Sequence, residues 1–175
     1  MKKVFAFGLT AAVLLSLAAC STAAKTDRAD QTPAAEQTQT ENVQIPNPWT
    51  DYDSLDEAIA AAGFDCTIPD TIGGCSEKAF RVLDADGETM LEVIYADGET
   101  EIARVRKAPG TEDISGDYNA YDAQDVAVGD VTVTMKSADG LVKLAIWQDG
   151  GYTYAVSMEA GISADAMAEL VSQIG

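Results

Sequence analysis

The chain has 175 residues, a formal charge of −18, a sequence pI near 4.1 and no histidine. Such an acidic balance disfavours nucleic acid and anionic lipid head groups as partners. Without histidine, Ser-His-Asp and Cys-His machinery are excluded, and the commonest metal ligand is missing.

The N-terminus reads as an export signal. Lys2 and Lys3 precede an apolar run from Val4 to Ala19. That run falls short of the ~20 residues of a comfortable membrane span, and its flanks suit cleavage. Leu17-Ala18-Ala19-Cys20 resembles the lipobox of bacterial lipoproteins. The resemblance implies that residues 1–19 are removed as a signal peptide. It also implies that Cys20 carries a diacylglycerol, with the mature chain on the outer face of a cell membrane. Residues 20–46 then form the lipidated cysteine and a tether rich in Thr, Ala, Gln, Asp and Glu, without aromatic residues. This composition buries too little apolar surface to offset chain entropy. As a flexible coil, 26 such residues would span roughly 28 Å.

Residues 47–175 read as a single α+β domain. Trp49 and Tyr52 are its first large anchors. Ser54-Leu55-Asp56-Glu57 is a capping box, and it predicts a helix over Leu55–Ala62 closed by Gly63. Cys66 and Cys75 then flank Pro69 and Gly73-Gly74. Two readings stand for them. A Cys66–Cys75 disulfide would contribute about 2.7 kcal/mol in the chain-entropy model; alternatively they are small buried apolar side chains.

From Lys78 onward the pattern has period two, punctuated by Asp86-Gly87, Asp97-Gly98, Gly129-Asp130, Asp139-Gly140 and Asp149-Gly150-Gly151. It predicts an antiparallel β-meander of about seven strands: Ala79–Asp84, Thr89–Tyr95, Glu101–Lys107, Asp125–Val128, Val131–Ser137, Leu141–Gln148 and Tyr152–Met158. A two-residue turn at Asp86-Gly87 sets Val82 opposite Leu91, Phe80 opposite Val93 and Arg81 opposite Glu92. A similar turn at Asp139-Gly140 sets Met135 opposite Leu144 and Val133 opposite Ile146. Lys143, Ala145 and Trp147 then fall on the other face. Trp147 meets Tyr152 or Tyr154, depending on how the last turn closes. Ser163 caps a C-terminal helix whose Met167, Leu170, Val171 and Ile174 form one apolar stripe. Both helices are expected to pack on the sheet.

Chemistry-bearing candidates are few. Asp84-Ala85-Asp86-Gly87-Glu88 begins like a calcium loop, but the twelfth position is Tyr95, so a hairpin turn is the better reading. The long connection Ala108–Ala123 offers Asp113, Asp117 and Asp122 as oxygen ligands, or, with Arg104, Arg106 and Lys107 nearby, as internal pins. Trp147, Tyr152 and Tyr154 form either a ligand platform or part of the core. No Walker or Rossmann glycine loop occurs, and no cofactor or metal is implied.

Trp49, the Ser54-Leu55-Asp56-Glu57-Ala58 helix start, Ala62-Gly63-Phe64 and Pro69 carry a second resemblance, together with Ala145-Ile146-Trp147-Gln148-Asp149-Gly150-Gly151-Tyr152-Thr153-Tyr154 and the helix of Met167 and Leu170. The chain from Trp49 to Ile174 resembles the extracellular domain-of-unknown-function family 4367. That family occurs on Gram-positive lipoproteins and membrane-anchored regulators. The resemblance implies fold and location and carries no catalytic residue across. The expectation is a non-enzymatic binding module with a protein or small-molecule partner. A carrier of an apolar ligand and a carboxylate-dependent hydrolase are the alternatives.

Overall fold

The structure is a computed structural model that describes residues 47–85 and 87–175. The expected signal segment, Cys20 and the tether lie outside the described residues. Within residues 47–175 the chain folds as an antiparallel, sheet-dominated α+β unit. In order it forms β1 (Trp49–Tyr52), α1 (Leu55–Ala62), β2 (Lys78–Ala85), β3 (Glu88–Asp97), β4 (Thr100–Pro109), β5 (Asp122–Val128), β6 (Val131–Ala138), β7 (Leu141–Asp149), β8 (Tyr152–Ile162) and α2 (Ala164–Val171). Neither described helix is long and apolar enough to cross a membrane.

The sheet has eight strands in the order β1-β2-β3-β4-β8-β7-β6-β5. This corrects the single seven-strand meander in two ways. The four-residue segment Trp49–Tyr52, too short to show a period, pairs with β2 as an edge strand. And β4 does not pair with β5. The connection after β4 crosses to the far edge, and β5 to β8 return as a second meander that joins the first through β4 and β8. That crossing makes the 110–121 connection run along one face of the sheet.

The first hairpin has the expected register, with Phe80 opposite Val93, Arg81 opposite Glu92 and Val82 opposite Leu91. The second half slips by one residue. Asp139 and Gly140 both take positive φ, as a type I′ turn demands, and Ser137 pairs with Val142. The next pair is Lys136 with Leu144, so Lys143 stands unpaired as a β-bulge. Met135 therefore faces Ala145 and Val133 faces Trp147. Because side chains alternate, this slip exchanges the two faces. Ala145 and Trp147 enter the main core, while Leu144 is buried on the opposite face, outside that cluster. The bulge continues into β8, where pairing jumps from Ser157 to Ile162. The Lys143 ammonium closes it by donating to the Glu159 carbonyl at 2.8 Å. Gly161, at φ +72°, lies so near Leu141 that a Cβ would sit 2.9 Å from the Leu141 Cβ.

One face of the sheet carries the core: Val82, Leu91, Val93, Tyr95, Val105, Val133, Met135, Trp147 and Val156. Against it pack Ala58 of α1, Cys66 and Ile72 of the connecting segment, and Met167, Leu170 and Val171 of α2. Each large side chain so buried contributes about 1.5–3 kcal/mol. The caps are as the sequence requires. Ser54 accepts from the Glu57 amide, Ser163 accepts from the Ala166 amide, and Gly63 is left-handed at φ +79°. Thr67 and Gly175 exchange two backbone hydrogen bonds, which fastens the connecting segment beside the chain end after α2.

Of the two readings of Cys66 and Cys75, the disulfide is not formed; both residues are free thiols. Cys75 closes a tight bridge with Ile72 around Gly73-Gly74. Cys66 points into the core, where burial pushes its thiol up to about 11 against the lowering effect of Lys107. A thiol so protonated is a poor partner for oxidation. The expected outcome is that alkylation of the denatured chain without reductant, read by mass spectrometry, modifies both Cys66 and Cys75. A pair that resists until reduced would overturn this assignment.

Candidate functional site

The face away from the helices is built around a buried charge. Alternation along β3 turns Glu92 away from the core, and pairing sets it between Arg81 on β2 and Arg106 on β4. Its side chain is fully buried. The Arg81 Nε donates to Glu92 Oε1 at 2.5 Å, and the Arg106 Nε and Nη2 approach Oε2 at 2.6 Å. Arg104 stands 3.5 Å from the same oxygen and donates through Nη2 to Glu101 at 2.6 Å. Its Nε is buried without a hydrogen-bond partner. Burial alone would lower the Arg104 guanidinium, but Glu101 and Glu92 outweigh it and hold it above its ordinary value. Trp49 lies over the pair, its ring centroid 5.2 Å from Arg81 and 5.7 Å from Arg106. Trp49 thus covers the charged cluster instead of anchoring the apolar core.

Arg106 also fixes the long connection. Its Nη1 donates to the carbonyls of Ile114 and Ser115 at 2.9 and 2.7 Å. Gly116 is needed here: at φ +66°, a Cβ would sit 2.6 Å from that same nitrogen. Thr153 and Gln148 hold the carbonyls of Gly110 and Thr111 at 2.8 and 2.9 Å. The first half of the loop, from Gly110 to Ser115, is therefore tied to the sheet.

Asp113 and Asp117 act as pins. Asp113 accepts from the Ser115 amide and from Lys136 at 3.0 Å. Asp117 accepts from Asn119 and from the Tyr121 hydroxyl at 2.7 Å. Burial would raise both carboxyls, but these donors outweigh it and hold them below the usual carboxylate range. That is the opposite direction from what a general acid requires. Asp122, the third expected oxygen ligand, begins β5. Among the described residues no group of three or more acidic or thiol side chains is placed to hold a metal ion. Arg104, Arg106 and Lys107 do not neutralise these acids. Arg106 takes loop carbonyls instead, and Lys107 faces the other way.

Of the two readings of the aromatic residues, the structure takes the core. Trp147 and Tyr154 are opposite each other, stacked at 5.1 Å, and each is only 4% exposed. Tyr152 is half-buried beside Phe64 at 5.2 Å. Phe64, Tyr152 and Tyr154 wall an internal cation site. The Lys107 ammonium lies 4.7 Å from the Tyr152 ring and 4.9 Å from the Tyr154 ring, and donates to the Asp65 carbonyl at 2.7 Å. The residues form one cluster, but it faces inward.

What the loop does display is Tyr118, 97% exposed. It lines two clefts at once. One, of about 430 Å³, holds Glu101, Arg104, Asp117, Ser157 and Glu159. The other, of about 450 Å³, holds Glu88, Met90, Arg106, Pro109, Glu112 and Asp113. Tyr118 escaped the sequence reading because its exposure depends on the loop crossing the sheet. The cue available was an aromatic inside an otherwise polar Gly-Asp-Tyr-Asn connection. No family model, no curated protein and no solved structure matches the chain.

Two outcomes follow. Glu92→Gln leaves three arginines facing a neutral amide, which should cost roughly 3 kcal/mol, the low end for breaking a buried pair because the arginines keep some water; denaturant unfolding measures it. The pins should respond to acid. Carboxyls depressed in the folded state stabilise the loop above their ordinary value of 3.8 and lose that contribution as pH falls through the folded value. The Ser115 and Asn119 amide resonances should therefore move only below pH 3.8; titration at or above it would contradict the pinning.

Proposed function

We propose that the chain is a lipid-anchored, extracytoplasmic and non-enzymatic binding module. In this reading Cys20 holds it to the outer face of a cell membrane, and the Tyr118 face meets its partner. The observation that carries the binding role is the exposed Tyr118, which lines two clefts on a loop whose Ile114 and Ser115 carbonyls Arg106 holds. Water-exposed aromatic side chains on a rigid support are the usual anchors of recognition. The two helices close the aliphatic face, which leaves the charged face for contact.

The anchor rests on Leu17-Ala18-Ala19-Cys20 and on the composition of the segment after it. The resemblance to family 4367, with its Gram-positive lipoproteins, supports the same location. The packed Trp147–Tyr154 pair weighs against a carrier of apolar ligands, since those rings offer no open platform.

Expression of the full chain with Cys20→Ala tests the anchor. The variant should lose incorporation of labelled palmitate and move from the membrane fraction to the soluble one. Retention in the membrane to the same extent as the parent would overturn the lipid assignment.

A further inference from the structure

We infer that the Tyr118 face is a docking site for an extended basic peptide segment, with lysine or arginine side chains entering the clefts on either side of the tyrosine. This deepens the binding-module reading and rests on it.

The argument begins with where the positive charges are. Every basic residue of the described domain already has a partner within it. Arg81, Arg104 and Arg106 serve Glu92 and Glu101. Lys136 pairs with Asp113, and Lys143 closes the bulge on the Glu159 carbonyl. Lys107 lies in its aromatic pocket, and Lys78 sits 5.4 Å over the Tyr95 ring. The carboxylates are not matched in the same way. Among the described residues Glu159 in one cleft, and Glu88 and Glu112 in the other, have no ion-pair partner. Each cleft is lined by three carboxylates and one arginine, and that arginine is already committed. Glu101 is answered by Arg104 and Asp113 by Lys136, so the unmatched charge of the clefts is Glu159 on one side and Glu88 and Glu112 on the other.

An acidic rim alone would be ordinary solvation. What makes this one a site is the aromatic ridge between the clefts. The Tyr118 ring offers its negative π face to a cation, and such contacts strengthen as the cation is desolvated. The loop before it is held to the sheet by Arg106, Lys136, Gln148 and Thr153, and Asp117 on one side of it binds Asn119 and Tyr121 on the other, which reduces the conformational freedom lost on binding. An anionic ligand would meet like charge in both clefts. A divalent cation needs converging oxygens, whereas Asp113 and Asp117 are used inside the loop and the remaining acids are split between two clefts. A peptide with spaced basic side chains can occupy both clefts and cross the ring.

The test uses the full-length lipoprotein in nanodiscs of neutral phosphatidylcholine. The probes are a fluorescent (Lys-Gly-Arg-Gly)3 peptide, a (Glu-Gly-Asp-Gly)3 control and calcium chloride alone, and binding is read by anisotropy. The basic peptide should bind saturably and the acidic control should not. Tyr118→Ala should weaken binding about tenfold, as loss of an interface anchor does. Since Tyr118 touches solvent on nearly all sides, that variant keeps the fold. Glu159→Gln and Glu112→Gln, one in each cleft, should each weaken it several-fold. Binding that survives Tyr118→Ala unchanged is diffuse attraction to an acidic surface and overturns the site. Calcium binding without peptide binding overturns the choice of ligand.

A second arm separates this inference from the reading beneath it. With p-benzoylphenylalanine in place of Tyr118, the native lipoprotein is cross-linked on cells and the captured segment is sequenced. A basic segment supports the inference. A non-basic segment overturns it while leaving the binding module standing. No cross-link at this position, together with no peptide binding, removes both.

Discussion

The buried Glu92 carboxylate is the constraint on which the outer face depends. Removing a carboxylate from water carries an effective penalty of several kcal/mol, recovered only with excellent geometry and full hydrogen bonding. Glu92 obtains that from two neighbouring strands, through Arg81 on β2 and Arg106 on β4. Once those guanidiniums are gathered, other elements are fixed in turn. Trp49 covers Arg81 and Arg106, which gives the short edge strand β1 a reason to be where it is. The free nitrogen of Arg106 then collects two loop carbonyls. A strand, a loop and a covering aromatic residue thus depend on one side chain of β3.

The two faces of β4 solve the same problem in different ways. Arg104 and Arg106 point outward and meet carboxylates. Lys107, one residue on, points inward and is buried without a carboxylate partner among the described residues. Three ring faces and one carbonyl hold its charge instead. Aromatic faces need no counter-ion and introduce no further charge to desolvate. Phe64 follows α1 and the Asp65 carbonyl lies beside it, so the ammonium also ties the start of the connecting segment to the sheet.

What was legible in the sequence follows from how local each signal is. The capping box at Ser54 and the N-cap at Ser163 act on residues three apart, and both helix starts were readable. The β2–β3 register follows from one turn and survives intact. The β6–β7 register does not, because a bulge at Lys143 adds a residue that no turn rule announces. That single residue turned Trp147 from the face opposite Met135 to the same face as Met135. The pairing of Arg81 with Glu92 was readable as a cross-strand pair, but its burial was not. The missing information was the turn at Gly98-Glu99 and the irregularity at Tyr95, which together set Arg106 opposite Glu92. The candidate site suffered most, since exposure of Tyr118 follows from a crossing connection between distant strands.

The position of the cations also explains how so acidic a chain folds at all. A formal charge of −18 resists compaction through self-repulsion. Scattered over the surface, a handful of lysines and arginines would each recover little, since exposed pairs contribute only about 0–1 kcal/mol. Concentrated under the loop and within the sheet, Arg81, Arg104, Arg106 and Lys107 act where water is scarce and each contact counts for more. The consequence is asymmetric. The interior of the charged face is balanced, and its rim is left with carboxylates that have nothing to neutralise them. The same arrangement that lets the domain close therefore sets the sign of whatever it can attract.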